Sequence, residues 1–372
     1  MRSGTIGRLA VLAIALSRAD PAASAPASAG MRLADRGQAR YAIVQGKEPS
    51  EAERFAAQEL AGHLERVTGA EFPLAAEGTP LAGKRAIYLG WTAFAAARGI
   101  DLAKLDGEEW ILRTVGQDLV LAGGRPRGTL YAVYEFLETQ VGCRWLSRDA
   151  EIIPSRPDLE IPALNVRGKP AFWIRGIYTH FAAWKADGAA ETLFRIRNKQ
   201  NGEDASIWQA RFGGGEYSGS PRGCHTFFAY VDPKLYAADH PEYYSDDGQG
   251  NRSWGHGAQL CLTHPDVRRI VLERLKEFIA RDREAYAKRG LPPPRIYDIS
   301  QEDDSSRGCR CPNCKALIER EGSESGPVVE FINAIADGIR DSHPEIRVQT
   351  FAYVYSEQPP KTLRPRDNVL IR

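Results

Sequence analysis

Apolar and polar positions along this chain follow two periods, and the period changes wherever turn residues intervene. The run 41–44 (YAIV) reads as a strand. Ser50 then stands three residues before Glu53, the spacing of a capping box, and Ala56, Leu60, Leu64 and Val67 follow at helical spacing until Gly69. A second strand falls at 86–89 (AIYL), and a hairpin joins 110–115 to 119–122 across 116–118. Gly123 and Gly124 lead into a further helix with Leu130, Val133, Tyr134 and Leu137 as its buried stripe. After a proline-punctuated connector at 154–170, strands at 172–178, 296–299, 348–355 and 369–371 alternate with helices at 191–197, 267–279 and 328–339. Such alternation predicts a parallel sheet or a (β/α) barrel. The expected fold class is α/β: a small α/β sandwich over 32–162, then a (β/α)8 TIM-barrel-like domain over 163–372. A complete barrel takes about 250 residues. The second region has fewer and stops on a strand with no helix to cover it, so the barrel is expected to be truncated at its C-terminus.

Composition narrows the function classes. With 43% hydrophobic and 26% charged residues the chain is an ordinary globular one, large enough for two cores. A formal net charge of +1 provides no basic field, so no nucleic-acid partner is expected. No later stretch is long and apolar enough to span a bilayer as a helix, so no integral membrane segment is expected. Residues 1–30 read as a signal peptide or disordered leader: Arg2 and Arg8 precede an apolar run at 9–16 and small residues with Ala-x-Ala-like ends near Ala25 and Ala29. The expected location is therefore periplasmic or secreted.

Six cysteines outside the cytosol invite disulfides. The spacing C-x-C-x-x-C of Cys309, Cys311 and Cys314 also resembles a metal knuckle, with Cys261 as a fourth ligand. Structural zinc and disulfides both stay open, and no cofactor is expected to be required for catalysis.

The strand at 296–299 runs into three consecutive acids, Glu302, Asp303 and Asp304. The C-terminal lip of a barrel strand is where proton-transfer groups sit. Glycoside hydrolysis uses two carboxyl groups about 5 to 9.5 Å apart, and crowding in a cleft raises the pKa of one of them. In an extended backbone Asp303 points away from both neighbours, which makes it the first candidate acid and Glu302 the second. The plainer reading is that these acids start the next helix. The opposing carboxylate is expected from Asp298, Glu357 or beyond Arg372. Candidate substrate contacts are His180 and His225 at strand and loop ends, Arg252 for a sugar carboxylate, and Glu357. Trp254 and Tyr353 offer flat apolar faces. His63 reads as a packed or exposed histidine rather than a ligand, and the His-Pro-acid triplets at His240 and His264 as turn and helix-start signals.

Several segments together resemble known families. The run 125–146 (RPRGTLYAVYEFLETQVGCRWL) is similar to the end of the small domain that precedes the barrel in family 20 hexosaminidases and family 67 α-glucuronidases. The segments 223–252, 259–267 (QLCLTHPDV), 298–314, 325–339 and 350–361 resemble the bacterial glycosidase-like family catalogued as domain of unknown function 4838. The resemblance covers nearly everything after about Ala39. It implies a secreted or periplasmic carbohydrate-active protein with a (β/α)8-like barrel, and it transfers no catalytic residue. Family 20 enzymes end their fourth strand on an Asp-Glu pair; the order Glu302-Asp303-Asp304 departs from that and argues against substrate-assisted N-acetyl chemistry. The expected function is a glycoside hydrolase acting on an extracellular or periplasmic glycan by carboxylate acid/base catalysis. The alternative is a non-catalytic carbohydrate-binding protein.

Overall fold

The computed structural model describes residues 30–176, 188–202, 208–214, 218–289, 292–303 and 305–372. The leader at 1–29, His180 and Asp304 lie outside the described residues. The fold is mixed α/β, built around two hydrophobic cores.

A six-stranded sheet organises the first core, in the order Asn165–Gly168, Trp110–Val115, Asp118–Gly123, Arg85–Leu89, Tyr41–Gln45 and Leu74–Ala76. The last four run parallel, and the hairpin and the Asn165–Gly168 edge are antiparallel. The helix Glu51–Thr68 starts on the predicted capping box. Ser50 Oγ accepts the Glu53 N–H at 3.2 Å, and the Glu53 carboxylate accepts the Ser50 N–H at 2.8 Å. It ends where Gly69 takes a left-handed φ of 74°. The helix Gly128–Phe136 is buried on more than the predicted stripe, since Tyr131, Ala132 and Phe136 are sealed along with Leu130, Val133 and Tyr134. Gly128 lies so close to Gly123 and the Glu109 carbonyl that a Cβ there would overlap backbone, which explains the glycines at this strand-to-helix turn.

Two sequence expectations change here. The connector at 154–170 is woven into the first half: Leu159–Ile161 pairs antiparallel with Met31–Asp35, and Asn165–Gly168 with Trp110–Val115. The strand expected at 172–178 does not form over 172–176. The Arg175 guanidinium takes the carbonyls of Phe172 (2.6 Å) and Trp173 (3.2 Å), groups that a sheet ladder would otherwise use.

In the second half the strands Ile296–Asp298, Arg347–Thr350 and Val369–Ile371 run parallel in that order, and Ser218 makes a parallel bridge to Ile296 on the free side. The helices Pro265–Lys288 and Ser325–Ile339 cover them, burying Val271, Leu275, Phe331, Ile332 and Ile335 against Tyr297, Ile299 and Val348. The first of these helices runs nine residues beyond the predicted 279. It begins at His264, whose Nδ1 accepts the Asp266 N–H at 3.2 Å, with Pro265 in its first turn. The helix Pro312–Glu321 was not expected from periodicity. The strand predicted at 348–355 ends at Thr350, because Ser356 Oγ accepts the Tyr353 N–H at 3.2 Å and turns the chain into a short 3-10 segment, Val354–Ser356. No helix among the described residues is long and apolar enough to cross a membrane.

Candidate active site

The polar residues of this half gather at the C-terminal ends of the parallel strands. Asp298 closes its strand and is fully buried. One carboxylate oxygen accepts from Ser300 Oγ and, at 3.2 Å, from Thr226 Oγ1; the other accepts from Gln349 Nε2 at 2.9 Å. Burial pushes this carboxyl above the usual aspartate value, against the pull of those donors. Asp298 therefore faces the interior as the centre of a sealed network rather than as a group open to a substrate.

Above this floor the chain turns outward. Gln301 is buried, its Nε2 donating to the Tyr353 carbonyl at 2.9 Å and its Oε1 accepting from Ser356 Oγ at 2.6 Å. Gln259 holds the next residue from the other side. Its Nε2 donates to the Glu302 carbonyl at 2.9 Å, and its Oε1 accepts the Glu302 N–H at 3.0 Å. With the backbone fixed on both sides, Glu302 turns its carboxylate down onto the Phe228 N–H at 2.8 Å. Burial raises the Glu302 carboxyl above the ordinary glutamate value.

Asp303 points the other way, as the alternation of an extended chain predicts. Its side chain is 53% exposed. One oxygen accepts the Tyr353 O–H at 3.1 Å, and the other lies 3.9 Å from His225 Nε2. His225 is held firmly for a loop residue. It adopts φ 59°, costly for a residue with a side chain; its N–H donates to Ser300 Oγ at 2.9 Å. Its Nδ1 sits 2.8 Å from the Gln301 carbonyl, which places the proton on Nδ1 and turns Nε2 toward Asp303. The imidazole also packs on Phe351 and Tyr353, ring centres 5.2 and 5.9 Å away. Three predicted residues, Asp303, His225 and Tyr353, are thus brought into one half-exposed cluster, while the Glu302 carboxylate turns to the Phe228 N–H.

The other predicted residues stand apart. Glu357 is exposed at the end of the turn Val354–Ser356. Trp254 is 42% exposed and its ring meets Tyr244 at 6.0 Å. Arg252 points into the protein: it donates to the Tyr244 carbonyl at 2.8 Å and pairs with Asp246 at 3.3 Å. His63 is the packed rather than the exposed of the two alternatives, with Nδ1 2.7 Å from the Glu59 carbonyl and Nε2 accepting from Trp145 Nε1 at 3.3 Å. Gln259, Ser300, Gln301 and Gln349 escaped the sequence reading. The signal for two of them was period 2: Ser300 shares the face of Asp298, and Gln259 that of Cys261.

Cys261, Cys309, Cys311 and Cys314 converge behind this cluster. All four are buried, and their sulfur atoms lie within 4.8 Å of one another. Of the other two cysteines, Cys143 is buried and Cys224 exposed.

The family model described as Domain of unknown function (DUF4838) matches residues 145–372, well over half of the chain. The chain belongs to this family. The DUF4838 match takes in Asp298, Glu302, Asp303, His225 and all four clustered cysteines. A search of curated proteins finds no match. Among solved structures, the chain is similar to BtGH115A, a family GH115 4-O-methyl-α-glucuronidase with specificity for decorated arabinogalactans, at TM-score 0.49 and 13% identity over 92% of this chain and 45% of that one. It is also similar to a Streptomyces plicatus β-hexosaminidase in complex with its product GlcNAc, at TM-score 0.40 and 16% identity over 93% of this chain and 66% of that one. A GH20 β-N-acetylhexosaminidase from Streptomyces coelicolor A3(2) matches at TM-score 0.40 and 14% identity, over 93% of this chain and 67% of that one. The chain thus spans about half of the glucuronidase and about two thirds of the hexosaminidases.

Proposed function

We propose that this DUF4838 protein is a glycoside hydrolase-like enzyme that acts on a periplasmic or extracellular glycan, with Asp303 as its acid/base group and Glu302 as the carboxyl beside it. The observation that carries the reading is the setting of Asp303. It stands half-exposed at the C-terminal lip of a parallel strand, with the Tyr353 O–H on one oxygen and His225 Nε2 facing the other. That is where a (β/α) enzyme presents proton-transfer groups. The Tyr353 O–H orients the carboxyl, and the His225 imidazole faces its other oxygen. Glu302, with its carboxyl raised by burial, retains a proton closer to neutral pH than a solvated glutamate does. The two carboxyls thus have different environments, the condition under which one donates while the other accepts. In this reading the accessory domain expected over 32–162 extends to its edge strand Asn165–Gly168, and the residues after it contribute to a barrel-type catalytic domain.

The test is a glycan array followed by assay of reducing ends released from whatever binds. The reading expects release from at least one bound glycan. Binding without release from any of them would overturn it and favour a carbohydrate-binding protein.

A further inference from the structure

We propose that Cys261, Cys309, Cys311 and Cys314 hold one zinc ion as a closed tetrathiolate site, and that this ion staples the loop bearing Glu302 and Asp303 to the 259–261 segment. The geometry fits before any metal is considered. Zinc–sulfur bonds of about 2.3 Å in a tetrahedron set the sulfurs roughly 3.8 Å apart. Here Cys261 and Cys311 are 3.6 Å apart, and no pair of the four exceeds 4.8 Å. Disulfides ask for something else: sulfurs drawn into two pairs at about 2.05 Å. Four sulfurs around one centre is the arrangement of a shared ligand.

The donor set also selects the ion. Four thiolates with no carboxylate or water position favour a soft or borderline metal and leave no open site, which marks the ion as structural rather than catalytic. Four thiolates on a divalent cation carry a net charge of about −2, and the surroundings are built to offset it. The Asp246 N–H donates to Cys309 Sγ at 3.3 Å, and Arg252 Nη1 lies 3.9 Å from the same sulfur. Thr263 Oγ1 stands 3.2 Å from Cys314 Sγ. Such contacts orient ligands and tune their basicity. They also give Arg252 a purpose that the sugar-binding reading did not.

The site ties two remote segments together. Cys311 and Cys314 stand at the start of the helix Pro312–Glu321, and Cys309 just before them. Cys261 lies two residues beyond Gln259, the side chain that clamps the Glu302 backbone. Arg310 pairs with Glu324, and the Gly308 N–H donates to the same carboxylate at 3.0 Å, so the loop is also anchored to the next helix. Removing the ion would free the loop at its thiolate end while leaving these anchors in place.

The experiment is metal analysis of the full chain purified without chelator, together with mass measurement after alkylation of the denatured, unreduced protein. The proposal expects one zinc per chain and all six cysteines alkylated. A chain lighter by two hydrogens per bridge, with those cysteines unalkylated, would overturn it in favour of disulfides. So would six free thiols with no zinc bound and none taken up from added zinc. Because a Cys314→Ser chain that fails to fold would be uninformative, a second measurement is made on the wild type: stripping zinc with a chelator should speed amide exchange across 302–311 and leave exchange in the helix Glu51–Thr68 unchanged. Unchanged exchange at 302–311 would refute the stapling role. Neither readout depends on turnover, so this proposal and the hydrolase reading fail separately.

Discussion

Replacing Gln259 by alanine isolates the clamp that sets the direction of Glu302. The side chain is 1% exposed and makes two bonds to one residue, at 2.9 and 3.0 Å. Its own backbone is engaged elsewhere, with the Ser245 N–H donating to its carbonyl at 2.7 Å. Gln259→Ala therefore removes the clamp and leaves the strand pairing intact. It strands one N–H and one C=O of Glu302, and each buried unsatisfied group costs about 1–3 kcal/mol. Water entering the space left by the amide recovers part of this, so the expected loss is about 2–4 kcal/mol. Urea unfolding should show it as a lower midpoint at unchanged slope in the transition of the second core. Gln259→Glu sharpens the test. The carboxylate keeps the acceptor but presents a negative charge to the Glu302 carbonyl, so that variant is destabilised at neutral pH. When protonated it can donate again. Burial raises the new carboxyl, so the variant is most stable at low pH and loses stability as pH rises through that value. A loss below about 0.5 kcal/mol for Gln259→Ala, or a Gln259→Glu variant with the pH dependence of the wild type, would refute the reasoning.

Three further substitutions test other parts of the account. Glu321 accepts N–H groups of Leu363 and Thr362 at 3.0 and 2.8 Å, and those bonds hold its carboxyl down to about 2. The stability it contributes is present above the ordinary glutamate value and is lost as pH falls toward 2, so the melting-temperature gap between wild type and Glu321→Gln should be wide near neutrality and close in acid. Asp298 has the opposite sign: its raised carboxyl favours folding in acid, and that stability is lost as pH rises through the folded value. Asp298→Asn should flatten this fall, measured by melting between about pH 4 and 8. Ser50→Ala removes one half of the capping box and should lower stability by about 1 kcal/mol in denaturant unfolding, with the loss confined to the first core.

The elements that were legible in the sequence are those whose ends are fixed by local chemistry. Ser50, Glu53 and Gly69 bound one helix by contacts within a few residues, and His264 with Pro265 start another. Short strands set among prolines gave no such signal. Leu159–Ile161 and Asn165–Gly168 are set among prolines and are defined by partners more than forty residues away, so they read as a linker. The run 172–176 failed for the reverse reason: its apolar pattern is that of a strand, but a single arginine satisfies its carbonyls. At the candidate site, Asp303 and Glu302 were visible as acids after a strand, and Tyr353 and His225 as isolated candidates. What joins them was not visible, because Gln259 and Gln301 bond backbone groups of residues 43 and 52 positions away, and Ser356 bonds the Gln301 side chain.

The central claim is that Asp303 transfers a proton at a glycosidic bond. Its most direct test is turnover of Asp303→Asn on a glycan that the wild type cleaves, with melting measured in parallel. The account predicts a fall in kcat of roughly 10²–10⁴-fold, the range of general acid–base catalysis, at an unchanged melting temperature. Wild-type kcat in that variant would contradict it.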